Sequence, residues 1–437
     1  MQTIDTLISA QWVVPVEPAG LVLEDHAVAV HLGKVVEVLP ESLAREKFAA
    51  RRHIALPQHV LIPGLINLHT HAAMTLMRGL ADDLPLMTWL SGHVWPVEGR
   101  HVSDEFVYDG SLLACAEMLR AGVTCFNDMY FFPEATARAA LTARMRAMLG
   151  IIAVEFPSAY AADADTCINN GLAARDTFGA ESLLGFALAP HAPYTVSDRT
   201  FERIVTLASE LDIPIHIHLH ETHEEIAQSE REYGMRPLLR LDRLGVLGPN
   251  LIAVHAIHLT PQEIELLAQT GCHVAHCPTS NLKLASGFAP AKALLDKGVN
   301  LGIGTDGAAS NNRLDMMAEI RLAALLAKGA SGDAAAIPAA QALAMATINA
   351  ARALGLDDRI GSIIAGKRAD LAAIEMSELE TTPCFDVISH IVYVCGRENV
   401  SHVWVDGELL LDGHALTHID EQEIKAKARL WKARIKP

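Results

Sequence analysis

The chain has 437 residues, 51% hydrophobic and 20% charged, enough apolar material for a large core and a length that suits two or three domains or one α/β barrel with an appendage. Its formal net charge of −17 argues against nucleic acid or an anionic membrane as partner. No apolar run reaches the ~18 residues of a membrane span, and Met1-Gln-Thr-Ile-Asp5 lacks the basic start of a secretory signal.

From the N-terminus, 6–14, 27–32 and 35–38 read as strands, the last two joined by a Gly33-Lys34 turn. The C-terminal stretches 370–374, 390–394 and 403–411 have the same character, and 420–437 reads as a charged helix. Neither end holds enough strand to bury a core, so 1–58 and 369–437 are expected to pair into one small β-sandwich domain. Between them, over 59–368, strand patterns at 60–69, 122–128, 149–156, 183–189, 213–219, 251–257, 272–276 and 299–304 alternate with helical ones such as 104–120, 133–149, 199–211, 261–269 and 314–328. This is the pattern of a (β/α)8 TIM-like barrel, with a doubly wound open sheet as the alternative.

The placement of polar residues favours the barrel. His69, His71, Asp128, His191, His218, Glu221, His255 and Asp306 all fall at or just past the C-terminal end of a strand, and in a barrel those ends meet at one mouth. His69-Thr70-His71 closes the run Val60–Leu68, which Pro63-Gly64 keeps from being helical; residues i and i+2 of a strand share a face, so both imidazoles converge. In Ile213-Pro-Ile-His-Ile-His-Leu-His-Glu221, alternation alone does not choose among His216, His218 and His220; the strand end is preferred, which leaves His216 as a core histidine. Asp128 reads as a loop cap rather than a site residue. The seven cysteines are odd in number and widely spaced, without Cys-x-x-Cys, and read as reduced core residues of a cytoplasmic protein.

Several histidines and an aspartate with no cysteine among them suit one divalent metal ion, Zn²⁺ first and Fe²⁺ as its competitor. An open position on such an ion lowers the pKa of water toward ~7, and Glu221 and His255 are the groups at hand to move protons. Gly302-Ile-Gly-Thr-Asp-Gly307 spells a dinucleotide fingerprint, but Asp306 would repel the pyrophosphate.

Pro63–His71, the His-x-His-x-x-Glu of 216–221, Val254–His258, His276-Cys277-Pro278-x-Ser280-Asn281, Gly304-Thr305-Asp306 and Gly366–Leu371 together resemble the metal-dependent amidohydrolase superfamily. Trp95–Glu98, Ala189–Tyr194, Ser280–Leu284 and Thr305–Asn312 resemble its 5'-methylthioadenosine/S-adenosylhomocysteine deaminase branch. The resemblance implies His69, His71, His218 and Asp306 as metal ligands and Glu221, His255 and Asp306 as catalytic groups. It further implies Glu98 and His191 as substrate contacts alongside Glu221 and Asp306, with Glu98 on the ribose hydroxyls. The implied partner is a small-molecule nucleoside, and the implied assembly a homo-oligomer, dimer or tetramer. The carbamylated lysine of two-metal members has no counterpart, because no lysine lies between Lys47 and Lys283. The arginine that some members use for the homocysteine carboxylate is missing too, since none lies between Arg146 and Arg175. The implied reaction is replacement of the adenine 6-amino group by water. The alternative is a guanine or other aminopurine deaminase, or a triazine-type hydrolase, on the same metal site; such an enzyme has no use for Glu98.

Overall fold

Gly64 is where the chain passes from one sheet to another. A Cβ there would lie 2.2 Å from Thr124 Oγ1, so only glycine lets the backbone pass so close. Its N–H donates to the Asp370 carbonyl at 2.8 Å. In the computed structural model, which describes residues 1–436, β1 (Gln2–Val13), β2 (Leu23–His31), β3 (Lys34–Pro40) and β4 (Phe48–Pro63) precede this point. The strand expected over 60–69 is therefore two: Val60 and Leu61 pair with Trp12 and Val13 of β1, and a new strand starts at Leu65.

The second sheet is β5 (Leu65–Thr70), β6 (Val123–Asp128), β7 (Arg146–Ala153), β8 (Leu184–Pro190), β9 (Ile215–Leu219), β10 (Leu251–His255), β11 (His273–His276) and β12 (Asn300–Ile303), hydrogen-bonded in that order. Every pairing in it is parallel. Past the end of β12, the Thr305 and Asp306 N–H groups donate to the His69 carbonyl at 3.1 and 3.0 Å and bring the last strand round to the first. Helices fill the gaps between strands, so these strands are buried on both faces, with Ile, Leu, Val and Ala interrupted by the buried polar residues that serve the site. Ile66, Leu68, Cys125, Met148, Ile252 and Val254 form one buried cluster drawn from four of the strands, the packed interior of a (β/α)8 barrel.

The chain ends do pair. β13 (Leu371–Glu375), β14 (Val400–Val405), β15 (Glu408–Asp412) and β16 (Ala415–Leu416) join the N-terminal strands in the order β16-β15-β14-β13-β4-β1-β2-β3. The β unit expected as a sandwich is thus one mixed eight-stranded sheet, with β4 parallel to β1 and antiparallel to β13. The strand expected at 390–394 is instead part of the helix Val387–Tyr393. Asp386 caps it by accepting the Ser389 N–H at 2.9 Å, and Val387, Ile388, Ile391 and Val392 bury one helical face. The helix expected over 133–149 stops at Ala143, where Arg144 takes a left-handed φ of 55°, so β7 starts earlier than the periodicity suggests. The C-terminal helix runs Glu421–Ile435; the Pro437 end of its expected span lies outside the described residues. No helix among the described residues is long and apolar enough to cross a membrane.

Candidate active site

Carbonyl groups on neighbouring strands decide which way the site histidines point. His71 Nδ1 donates to the Met129 carbonyl at 2.5 Å and His218 Nδ1 to the His191 carbonyl at 2.7 Å. A carbonyl only accepts, so in both rings the proton sits on Nδ1 and the Nε2 lone pair turns inward. His69 Nδ1 is 3.0 Å from His216 Nε2, and His69 Nε2 comes within 3.2 Å of His218 Nε2. Asp306 Oδ1 lies 3.4 Å from His69 Nε2 and 3.3 Å from His71 Nε2. Lone pairs and a carboxylate oxygen thus face one another at close range, an arrangement that a divalent cation satisfies.

The electrostatics point the same way. Burial alone would lower His71, yet the hydrogen bond and charge of Asp306 lift it to about 9, so a proton on Nε2 and a metal cation compete for the same place beside Asp306, while burial drops His69 to about 4. Burial would raise Asp306, but its bonds to His69 and His71 hold the carboxyl well below the usual range. The cluster draws in positive charge.

Asp306 is held from behind. Ser280 Oγ and Ser310 Oγ donate to its Oδ2 at 2.6 and 2.9 Å, and the Gly307 N–H donates to Oδ1 at 2.7 Å. His255 ends β10 with a φ of 71° and places Nδ1 2.8 Å from Asn281 Oδ1. An amide oxygen accepts, so Nε2 of His255 is left free; it stands 3.9 Å from Glu221 Oε1, and the ring stacks on His218 at 5.5 Å. Glu221 follows β9 and is buried, which raises its carboxyl above the ordinary value.

These groups line a cavity whose walls also include Trp89, Trp95, Phe131 and Phe156, the mix of apolar walls and a few convergent polar groups that small-molecule sites show. His71, Glu98, His191, His218, Glu221, His255 and Asp306 all reach it, and His69 lies fully buried in contact with them. Glu98 comes from the helix Trp95–His101; its Oε1 accepts the Tyr130 hydroxyl at 2.7 Å, and burial pushes its carboxyl up to about 7. The His191 ring sits 4.9 Å from that of His218, with Nδ1 3.2 Å from Thr195 Oγ1. Burial keeps it neutral, its pKa driven to about 3.

All the residues singled out for the site therefore gather in one place. His216 is a buried histidine as expected, but it supports the site by bonding to His69. His220 leaves it: a φ of 54° turns it away, and its Nε2 accepts the Leu238 N–H at 3.1 Å. Asp128 is the expected loop cap, accepting the Ala72 N–H at 2.7 Å. Asn281, Ser280, Ser310 and Glu225 carry no sequence signal of their own, although the first three stand inside motifs already singled out.

The model of the Amidohydrolase family matches residues 60–410. The 5-methylthioadenosine/S-adenosylhomocysteine deaminase of Teredinibacter turnerae is 49% identical over 433 residues, 99% of this chain and 98% of its own. That of Saccharophagus degradans is 47% identical over 431 residues, 99% and 97% of the two chains. A zinc-bound crystal structure of an adenosine deaminase from Xanthomonas campestris superposes with a TM-score of 0.98 at 51% identity, covering 100% of this chain and 99% of the other. With this match along nearly its whole length and the barrel-mouth histidines in place, the chain belongs to the amidohydrolase family.

Proposed function

We propose that the protein is a hydrolytic deaminase of adenine nucleosides that replaces the 6-amino group with oxygen and releases ammonia, with 5'-methylthioadenosine as its preferred substrate. The observation that carries this reading is Glu98, a half-buried carboxylate facing the same cavity as the histidine cluster, with no lysine or arginine lining that cavity. It suits the two ribose hydroxyls of a nucleoside and would be left unpaired by a bare guanine or triazine ring. The names of the relatives and of the Xanthomonas structure support it.

His69, His71, His218 and Asp306 would hold one divalent ion, Zn²⁺ by its nitrogen-rich donors with Fe²⁺ competing, which when bound acidifies a water at its open position. The absence of lysine between Lys47 and Lys283 supports one ion rather than a lysine-bridged pair. Asp306 takes one proton from the attacking water and passes it to the departing amine. His255, with Nε2 free, accepts a hydrogen bond from that water. Glu221 protonates N1 as the C6–O bond forms and recovers its proton from the remaining O–H, so the ring leaves as the lactam and the amine as ammonia.

A second chamber shares Trp95, Glu98, Phe131 and Phe156 with this cavity and is otherwise walled by residues such as Val102, Pro157 and Ala159. A methylthio group suits such walls, whereas a homocysteine carboxylate would lose its solvation with no cation lining the chamber. Seven free cysteines, six of them buried, support a reducing cytoplasmic setting, and a homo-dimer or tetramer is expected by likeness to relatives. An ultraviolet assay of metal-replete protein should rank methylthioadenosine first, adenosine and S-adenosylhomocysteine lower and guanine at background. Turnover of guanine with all three nucleosides untouched would overturn the reading.

A further inference from the structure

Among the described residues Glu221 has no hydrogen bond from another side chain to its carboxylate; the nearest ionisable partner, His255 Nε2, is 3.9 Å away. Its aim is set by its backbone. β9 ends at Leu219, His220 turns with a φ of 54°, and the helix His223–Tyr233 starts behind Thr222. Into this turn Glu225 reaches back from the helix: Oε1 accepts the His220 N–H at 2.9 Å and Oε2 accepts the Glu221 N–H at 2.8 Å.

The same chain contains an ordinary version of this device for comparison. At the helix Pro261–Thr270, the Thr260 hydroxyl accepts the Glu263 N–H at 3.2 Å and Glu263 returns to the N–H of Thr260 itself at 2.8 Å, the usual capping box. At the catalytic turn the first half is present, Thr222 Oγ1 accepting the Glu225 N–H at 3.2 Å. The glutamate, however, passes the cap and clasps the two residues before it. Glu225 is 5% exposed and, unlike Glu263, which pairs with Arg236 at 2.8 Å, makes no ion pair with a basic side chain among the described residues. A buried carboxylate without a cation costs stability. Local costs of this kind gather where a site needs a geometry that packing alone would not hold.

Resting on the deaminase reading above, we infer that Glu225 is a positioning residue: its carboxylate locks the His220–Glu221 peptide and so aims Glu221 at the substrate ring without touching substrate. A glutamine there offers one acceptor oxygen and sets an NH₂ against a backbone N–H. An aspartate keeps the charge but is a methylene too short to span both donors.

The experiment is a double-mutant cycle on the metal-loaded enzyme with E225Q, E225D and E221Q, reading kcat, KM, bound metal by elemental analysis and melting temperature. E225Q and E225D should each lower kcat by about 10–100-fold, the range of supporting partners at active sites, with KM and metal content near wild type because His218 lies upstream of the clasp. In the E221Q background E225Q should add no further loss of kcat, as expected for two residues acting as one unit. Additive losses, loss of metal together with activity, or wild-type kcat in E225Q would each overturn the inference. Should E225Q fail to fold, E225D and its cycle decide. Wild-type deamination by E221Q would instead sink the reading of the site on which the clasp depends.

Discussion

Glu98 combines two demands that meet near neutral pH. Burial raises its carboxyl to about 7, while the Tyr130 hydroxyl and the charge of His71 pull the other way. Ribose hydroxyls donate to a carboxylate and gain nothing from a protonated acid, so substrate competes with a proton. The ionised form dominates above about 7, and kcat/KM for methylthioadenosine should therefore fall as pH drops below that value, by about tenfold per unit once well below it. Removing the hydroxyl in Y130F takes away a bond that holds the carboxyl down, so this acid limb should move to higher pH; E98Q should abolish it and lower kcat/KM throughout. A Y130F profile that superposes on wild type would count against Glu98 as the titrating group.

Among the elements, the junction of β12 with β5 bears most directly on the site. A Cβ at Gly304 would stand 2.7 Å from His69 N and 2.9 Å from His69 Cβ, where the backbone of one proposed ligand passes two residues ahead of another. G304A should force the strands apart, costing about 1–3 kcal/mol as small-to-large changes in packed cores do, and should weaken metal binding by separating His69 from Asp306. Urea unfolding and metal titration together check both. The glycines of 302–307, which spell a nucleotide motif, are explained here by strand contact: the added Cβ at Gly302 would meet Leu68 at 2.5 Å. Element types were largely legible in the sequence because apolar periodicity is a local property. The errors fell where a local rule met a neighbour. Pro63-Gly64 lies inside an apolar run that reads as one strand, and the crossing over Thr124 splits it. His390–Val394 is β-branched enough to read as strand until the Asp386 cap is seen.

For the whole molecule, the barrel and the sheet of the chain ends are tied by a buried ion pair. Arg146 opens β7, at the end of the strand away from the mouth, and places Nε 2.9 Å from Asp370 Oδ2 and Nη2 2.8 Å from Asp406 Oδ1. The Arg146 and Asp370 side chains are 3% and 1% exposed. R146A would leave Asp370 buried with its cation gone, and should cost about 3–5 kcal/mol in urea unfolding. At temperatures where the variant stays folded, kcat should match wild type. A shift of the unfolding midpoint too small to resolve would show that the two units hold together without this pair.

The sequence by itself determined the alternation of strands and helices, and with it the fact that the polar residues stand at strand ends. It also supplied, through the order of its motifs, the residues of the site. Tertiary structure alone decided how those side chains are used. His216, His218 and His220 are equivalent by alternation, and they part company only because His218 meets the His191 carbonyl, His216 meets His69, and a left-handed turn swings His220 toward Leu238. The reason is physical: periodicity places a side chain on a face, whereas the direction of a lone pair is set by hydrogen-bond partners from other strands, and those become neighbours only when the barrel closes.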